Sequence, residues 1–302
     1  MKNAYKITNF AKEQGFDLVG FTNVKPNSKA YEHYKNWLDK KFNADMNYMS
    51  REDAVEKRKS AQTLLKNAKS IICLATNYYH DQPPLPKGHG RIARYAFGRD
   101  YHKLLKAKLK KIEAYLQEEF AAQTISYVDT GPLLERTLAE QAGLGYIGKN
   151  TCLITPEFGS WVLLSEIITD LEIKEIKPTK TKPMTCGTCT RCIEACPNKA
   201  ISIDPKTGRT QVDSKKCLSY QTIESKKPLQ ITDRIFGCDI CQEVCPRNCR
   251  AKQTTHKEFL EPKIAGDSIS ISRLKKIKTD EEYTKQFAGS PLMRAKFHKR
   301  LT

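Results

Sequence analysis

The sequence predicts an α/β (α+β) sandwich over residues 1–173, a small cysteine-rich domain over residues 174–250 and a basic tail over residues 251–302. Three observations carry that division. The first part alternates apolar, β-branched runs with segments of helical periodicity. Most of the cysteines crowd into the middle part. Beyond it the chain is polar and basic and shows no repeated helical unit.

The N-terminal MKNAYKITNFAKEQGFD has the pattern of a short amphipathic helix; it carries acidic residues and has neither an apolar signal core nor a twin-arginine motif. SIICLAT (Ser70 to Thr76), TISYV (Thr124 to Val128) and SWVLLSEII (Ser160 to Ile168) read as strands. Between His102 and Phe120, Leu105, Leu109, Ile112 and Leu116 recur at helical spacing, which buries one face and leaves the lysines outside. The charged, proline-bearing stretch from Lys174 to Pro183 suits a linker. In the tail, only Thr279 to Phe287 suggests a helix, and the rest is expected to be partly mobile. No segment approaches the run of about 18 apolar residues that a membrane span needs, so a soluble, cytoplasmic protein without membrane contact is expected.

Seven of the eleven cysteines form two motifs. Cys186, Cys189, Cys192 and Cys196 precede Pro197 in the C-x2-C-x2-C-x3-C-P spacing of bacterial ferredoxins. There, three close thiolates hold one [4Fe–4S] cube and the fourth crosses to a second. Cys238, Cys241 and Cys245, before Pro246, repeat the motif with Ile235 in place of its first cysteine. Two cubes need eight thiolates, so one more must come from Cys73, Cys152, Cys217 or Cys249; Cys217, between the motifs, is the choice. Crossover then predicts two ligand sets, Cys186, Cys189, Cys192 with Cys245, and Cys196 with Cys217, Cys238 and Cys241. Structural zinc is the plain alternative, but it favours paired C-x2-C knuckles with longer gaps.

Net charge is +18, with 25 basic against 19 acidic residues up to position 170 and 27 against 15 beyond it. Basic residues gather at Lys174, Lys177, Lys180 and Lys182, at Arg247, Arg250 and Lys252, and from Arg273 to Arg300. Nucleic acid is the natural partner of such a surface, and a lysine-rich coat kept for solubility is the alternative.

Two motifs fail in context. Gly143-Leu-Gly145-Tyr-Ile-Gly148 followed by Lys149 and Asn150 imitates a dinucleotide or phosphate loop, yet a helical pattern from Leu133 to Ala142 stands where a strand is required. Gly143 therefore reads as a helix C-cap, and the other glycines as places of close backbone approach to something bound. Asp100-Tyr-His102 opens like a cobalt-ligating D-x-H-x-x-G motif but has Leu105 at the glycine position, so His102 reads as a capping or surface residue. Asp129 follows the strand ending at Val128 and stands at a sheet edge suited to a ligand crevice; a helix N-cap is the plain alternative.

The stretch YVDTGPLLERTLAEQAGLGYIGKNTCLITPEFGSW (Tyr127 to Trp161), followed by the two cysteine motifs and FGCDICQEVCP, resembles the epoxyqueuosine reductases of the QueG family. EKR near Arg58, SIICLATNYY, ARYAFGRDYH (Ala93 to His102) and CLSYQTIE (Cys217 to Glu224) extend the resemblance over nearly the whole chain. It implies a cobalamin-binding N-terminal domain related to reductive dehalogenases, then a ferredoxin-like domain with two [4Fe–4S] clusters. The implied reaction reduces epoxyqueuosine to queuosine at the tRNA wobble position, with electrons from an external low-potential donor. By the same resemblance Asp129 is the proton donor, its pKa raised by burial against the corrin. Arg58, Lys149 and Asn150 join it in the cobalamin pocket. Tyr220 and Gln221 line the cobalt-facing side or touch tRNA. A monomer is expected.

Arg247 stands where many members carry tryptophan, and the C-terminal helical repeats of many members are not expected here. The rival readings are another cobalamin-dependent reductase of the dehalogenase kind and a non-catalytic ferredoxin-type carrier.

Overall fold

A computed structural model describes residues 2–174, 185–229, 232–261 and 266–300. The expected linker beyond Lys174, with Lys177, Lys180 and Lys182, lies outside the described residues. The first part runs α1 (Lys2–Glu13), β1 (Leu18–Asn23), α2 (Ser28–Asp39), α3 (Asn47–Ser50), α4 (Glu52–Lys57), β2 (Ser70–Asn77), β3 (His89–Ile92), α5 (Tyr101–Phe120), β4 (Thr124–Tyr127), α6 (Glu135–Gln141), β5 (Tyr146–Ile147), β6 (Leu153–Ile154) and β7 (Val162–Thr169). Four of these strands form one antiparallel sheet in the order β1-β2-β7-β4.

All eight residues of β2 are buried, because the strand is central and covered on both faces. Ile72 and Leu74 pack with α1 and with the stripe Leu105, Leu109, Ile112 and Leu116 of α5. Ile71, Cys73 and Ala75 face the other way, against Leu133, Ala139 and Ala142 around α6. That alternation follows from the two-residue period of a strand. Asp100 caps α5 by accepting from the His102 N–H at 3.0 Å.

Gly143 ends α6 as expected, with φ +79°. Its N–H donates to the Glu140 carbonyl and that of Leu144 to Ala139, the paired bonds of a Schellman turn. Gly145 and Gly148 do not open towards a ligand. A Cβ on Gly145 would lie 2.3 Å from the Ile154 carbonyl oxygen, and one on Gly148 2.4 Å from Ile154 Cδ1. Their close approach is to the partner strand of their own β5–β6 hairpin.

The cysteine-rich part contributes α7 (Arg191–Glu194), β8 (Ile201–Ile203), β9 (Thr210–Val212), α8 (Leu218–Ile223), β10 (Arg234–Phe236) and α9 (Ile240–Glu243). It is joined to the sandwich through buried polar contacts. Arg94 donates its backbone N–H to Asp239 at 2.8 Å and reaches Glu243 at 2.9 Å, while its guanidinium lies 4.8 Å from the Trp161 ring centre. Asn248 accepts from the Ser160 N–H at 2.8 Å and donates to the Ser160 hydroxyl at 2.8 Å.

Beyond position 250 lie α10 (Lys257–Leu260), β11 (Ser268–Ser270), α11 (Ile271–Lys276) and α12 (Asp280–Phe287). The expected mobile tail is instead packed. β3, lent by the first part, pairs with both β10 and β11. Around this small sheet Ile92, Phe236, Leu274, Tyr283, Phe287, Leu292 and Phe297 form a second buried core. These apolar residues are spread among lysines too widely to show a period, which hides the core from sequence. Thr279 and Glu282 open α12 with a reciprocal capping box. Among the described residues no helix is long and apolar enough to cross a membrane.

Candidate functional site

Asp129 stands two residues beyond β4 with φ +57°, a left-handed conformation costly for a residue with a Cβ. It is not a helix cap: Leu134 occupies the N-cap of α6 and makes no side-chain cap bond. The carboxylate turns towards the start of α5 instead. Oδ2 accepts from the Tyr101 hydroxyl at 2.9 Å and lies 3.2 Å from His102 Nε2. The other ring nitrogen of His102 meets Asp100 Oδ1 at 2.7 Å, so two carboxylates grip one imidazole.

These contacts set the protonation of the pair. Burial pushes the His102 pKa down, but hydrogen bonds to Asp100 and Asp129 and their charges prevail and raise it to about 9. Burial pushes Asp129 up, yet the hydrogen bonds from His102 and Tyr101, with the charges of His102 and Arg294, hold it below the usual carboxylate value. In the folded chain itself the Asp129 carboxyl is thus held down rather than raised. The site's labile proton sits on the imidazolium of an ion pair. His102, read from sequence as a cap or surface residue, is the main partner of Asp129; that signal is invisible locally, because the two residues are brought together only by folding.

Asp129 is about half exposed, at 48%, and its rim is polar. Arg294, from the tail, lies 3.9 Å from Asp129 and 4.0 Å from Glu224, and these three groups also face the Tyr48 hydroxyl. Arg58 lies 5.4 Å from the centre of the Tyr34 ring and donates to the Ala54 carbonyl at 3.0 Å, leaving its buried Nε without a partner. The Tyr220 hydroxyl donates to Asp45 at 2.8 Å. Gln221 donates to the Lys215 carbonyl at 2.7 Å and sits towards the Asn198 side.

Lys149 and Asn150 turn towards the cysteines. The Lys149 N–H donates to Cys186 Sγ at 3.3 Å and its ammonium to the Gly187 carbonyl at 2.8 Å. Asn150 is buried and its Nδ2 has no partner. Both line a cavity of about 190 Å³ whose walls include Cys186, Cys189, Cys192 and Cys245. A cube fits such a space, and four thiols meet across it although Cys245 comes from the other motif.

The remaining thiols form a second group. Cys217 feels Cys196, Cys238 feels Cys217, and Cys241 feels both Cys238 and Cys217. Cys73 is buried in β2, and Cys249 is exposed with its thiol on the Pro246 carbonyl. Cys152 lies near members of both groups, where burial raises its pKa to about 11. Among the described residues no three metal-binding side chains close around one point as a single ion requires. A cube holds its thiolates apart on separate corners and has no such requirement.

The second group adjoins Asp129 through a short run of contacts. Gly237, next to Cys238, packs on Ala93 and Tyr95. Tyr95 meets Tyr101 edge to face at 5.8 Å, and Tyr101 bonds Asp129.

Comparison with known proteins agrees with this arrangement. Residues 58–130 match the family described as Epoxyqueuosine reductase QueG, DUF1730, and residues 185–248 match a 4Fe-4S double cluster binding domain. An epoxyqueuosine reductase of a Synechocystis strain is 40% identical over 280 residues, 89% of this chain and 92% of that protein. That of Gloeobacter violaceus is 37% identical over 306 residues, 97% of this chain and 92% of the relative. Among solved structures, an epoxyqueuosine reductase with an epoxyqueuosine-modified tRNA-Tyr stem loop superposes with TM-score 0.84 at 30% identity, covering 97% of this chain and 80% of that one. The catabolic reductive dehalogenase NpRdhA shares the fold, with TM-score 0.53 at 15% identity over 98% of this chain and 35% of its own. The paired cysteine groups, the carboxylate at the sheet edge and these relatives together establish that the chain belongs to the epoxyqueuosine reductase family.

Proposed function

We propose that this protein reduces epoxyqueuosine to queuosine in tRNA, with Asp129 delivering a proton to the departing oxygen. The observation that carries the reading is the Asp129–His102 pair: a half-open carboxylate held by a protonated imidazole, placed next to the second cysteine group. Bound, two [4Fe–4S] clusters would pass single electrons and cobalamin would supply a strongly reducing metal centre.

Cys186, Cys189, Cys192 and Cys245 would hold one cluster, and Cys196, Cys217, Cys238 and Cys241 the other. Arg58 and Asn150 each keep a buried donor nitrogen without a partner. The Arg58 donor suits the amide and phosphate oxygens at the rim of a corrin, whereas that of Asn150 belongs to the wall of the cysteine cavity. Arg58 is accordingly assigned to its pocket with Asp129; Lys149, Asn150, Tyr220 and Gln221 are assigned there by the family resemblance alone, Lys149 and Asn150 from the side that lines the cysteine cavity.

The chain's own part is proton management. Covering the half-exposed Asp129 with tRNA removes water from an ion pair, and lower polarity favours its neutral form. A proton then moves from His102 Nε2 to Asp129 Oδ2, and from there to the oxygen leaving the sugar-like ring. Tyr101 holds the carboxylate in place meanwhile. Residues 1–173 would hold the corrin, 174–250 the clusters, and 251–302 would add the basic surface for tRNA, including Arg294 at the rim. An external low-potential donor, a monomeric state and a cytoplasmic setting complete the reading.

The test is anaerobic incubation of reconstituted protein with tRNA bearing epoxyqueuosine, a low-potential reductant, and cobalamin present or omitted. Mass spectrometry should show loss of one oxygen only when cobalamin is present. Asp129→Asn should keep both clusters and cobalamin but lose at least about a hundredfold in rate. Full activity of that variant would remove Asp129 from the chemistry.

A further inference from the structure

Glu166 is the least comfortable residue in the sandwich. It lies in the middle of β7 with no exposed surface, and neither carboxyl oxygen has a partner. A buried carboxyl in that state costs several kcal/mol if ionised, so an apolar residue would serve the sheet better. The β4–β7 register sets Glu166 opposite Tyr127, two residues before Asp129, and the β2–β7 register sets it opposite Cys73. On the same side of the sheet Glu135 opens α6 with Oε1 also unpartnered, and its carboxyl faces the backbone N–H of Asp129. Two carboxyls are thus stacked behind the loop that carries the proposed donor.

The chemistry asks for a second source of protons. Removing an epoxide oxygen breaks two C–O bonds, forms one C=C bond and releases water. Two electrons come from the external donor through the bound cofactors, and two protons end on the oxygen. Asp129 and His102 hold one labile proton between them. Resting on that reading of Asp129, we propose that Glu135, backed by Glu166, is a second proton-carrying carboxyl of the site and restocks Asp129 once its first proton has gone.

The surroundings favour the neutral acid at both positions. Burial, then the charge of Asp129, drives Glu135 up against the opposing Arg136, the Asp129 N–H and Arg58. Burial drives Glu166 well up, helped by Glu135 and Asp129. The groups facing the pair are Asp129 from the loop after β4, Tyr127 from β4, Cys73 from β2, Arg58 after α4 and Arg136 of α6. Only the two arginines are cationic, and they donate elsewhere, Arg58 to the Ala54 carbonyl and Arg136 to that of Thr151.

Two readouts test this on the reconstituted protein. Before tRNA is added, infrared spectra near neutral pH should contain the C=O stretch of protonated carboxyls, one band disappearing in Glu135→Gln and another in Glu166→Gln. In single turnover with epoxyqueuosine-bearing tRNA, Glu135→Gln should form queuosine roughly tenfold more slowly at about pH 8 but within about twofold of normal at about pH 6, where bulk water restocks Asp129. Glutamine matches the neutral acid in shape, so both variants retain the fold. Absence of an acid band that answers to Glu135, or an equal rate loss at both pH values, overturns the proposal. An active Asp129→Asn variant overturns the donor reading and this relay together. An inactive one, with Glu135→Gln unaffected by pH, overturns the relay alone.

Discussion

Replacing His102 by glutamine tests the ion pair on which the proton argument rests. The imidazole pKa rises from 6.5 to about 9 in the folded protein. At about 1.4 kcal/mol per pH unit, that difference amounts to about 3 kcal/mol of folding stability. His102 itself is 21% exposed, but Asp129 is half open to water, so solvent screening trims the figure to about 2 kcal/mol. The depressed Asp100 and Asp129 report the same interaction from the other side and add nothing to it.

Because the folded pKa is raised, the contribution is complete below the unfolded value near 6.5 and is lost as pH climbs through about 9. Glutamine keeps a hydrogen-bonding side chain but cannot carry the proton. The variant should be about 2 kcal/mol less stable than the parent at about pH 6, with the gap closing by about pH 10. Urea denaturation under anaerobic conditions, followed by tryptophan fluorescence at several pH values, gives both curves. Proton NMR of labelled histidines in the folded protein gives the pKa directly. A gap that stays constant with pH, or a His102 resonance titrating near 6.5, would refute the ion-pair description.

Further outcomes are expected elsewhere. Cys217→Ser should lower bound iron from about eight atoms to about four, whereas Cys152→Ser should leave both clusters; chemical iron analysis with electron paramagnetic resonance decides it. Asn248→Ala strips the buried contacts between the sandwich and the cysteine-rich part and should cost about 2–4 kcal/mol, read as a fall in melting temperature. Phe287→Ala should cost about 3–5 kcal/mol and open the segment after 266 to limited proteolysis, because that ring is fully buried in the second core.

What could be read beforehand was what repeats at a fixed spacing. Leu105, Leu109, Ile112 and Leu116 announced α5 and are all fully buried. Gly143 announced the end of α6 through the helical pattern before it. The position of Asp129 at a sheet edge was legible because an apolar strand stops just before it. His102 was not, since its meaning depends on a carboxylate 27 positions away. Glu166 passed unnoticed inside an apolar strand, where one acid does not break the pattern. Arg294 belonged to a run of basic residues and gave no sign of reaching Asp129. β1 escaped because LVGFTN is short and carries a central glycine, although Gly20 is needed where a Cβ would meet the Ala142 carbonyl oxygen at 2.5 Å.

The seat of Arg300 bears on when the protein becomes competent during synthesis. Its guanidinium donates to the carbonyls of Gln221, Thr222 and Ala295, and its Nε to that of Lys227 at 3.1 Å. It thereby clasps the end of α8, whose first residue follows Cys217 directly. A chain folding as it leaves the ribosome forms the sandwich early, but the peptide around Cys217 lacks this clasp until a segment far downstream has emerged. Metal loading at that cysteine is therefore expected to wait for the segment that carries Arg300, so iron and sulfide are delivered to a peptide already clasped rather than to one just emerging.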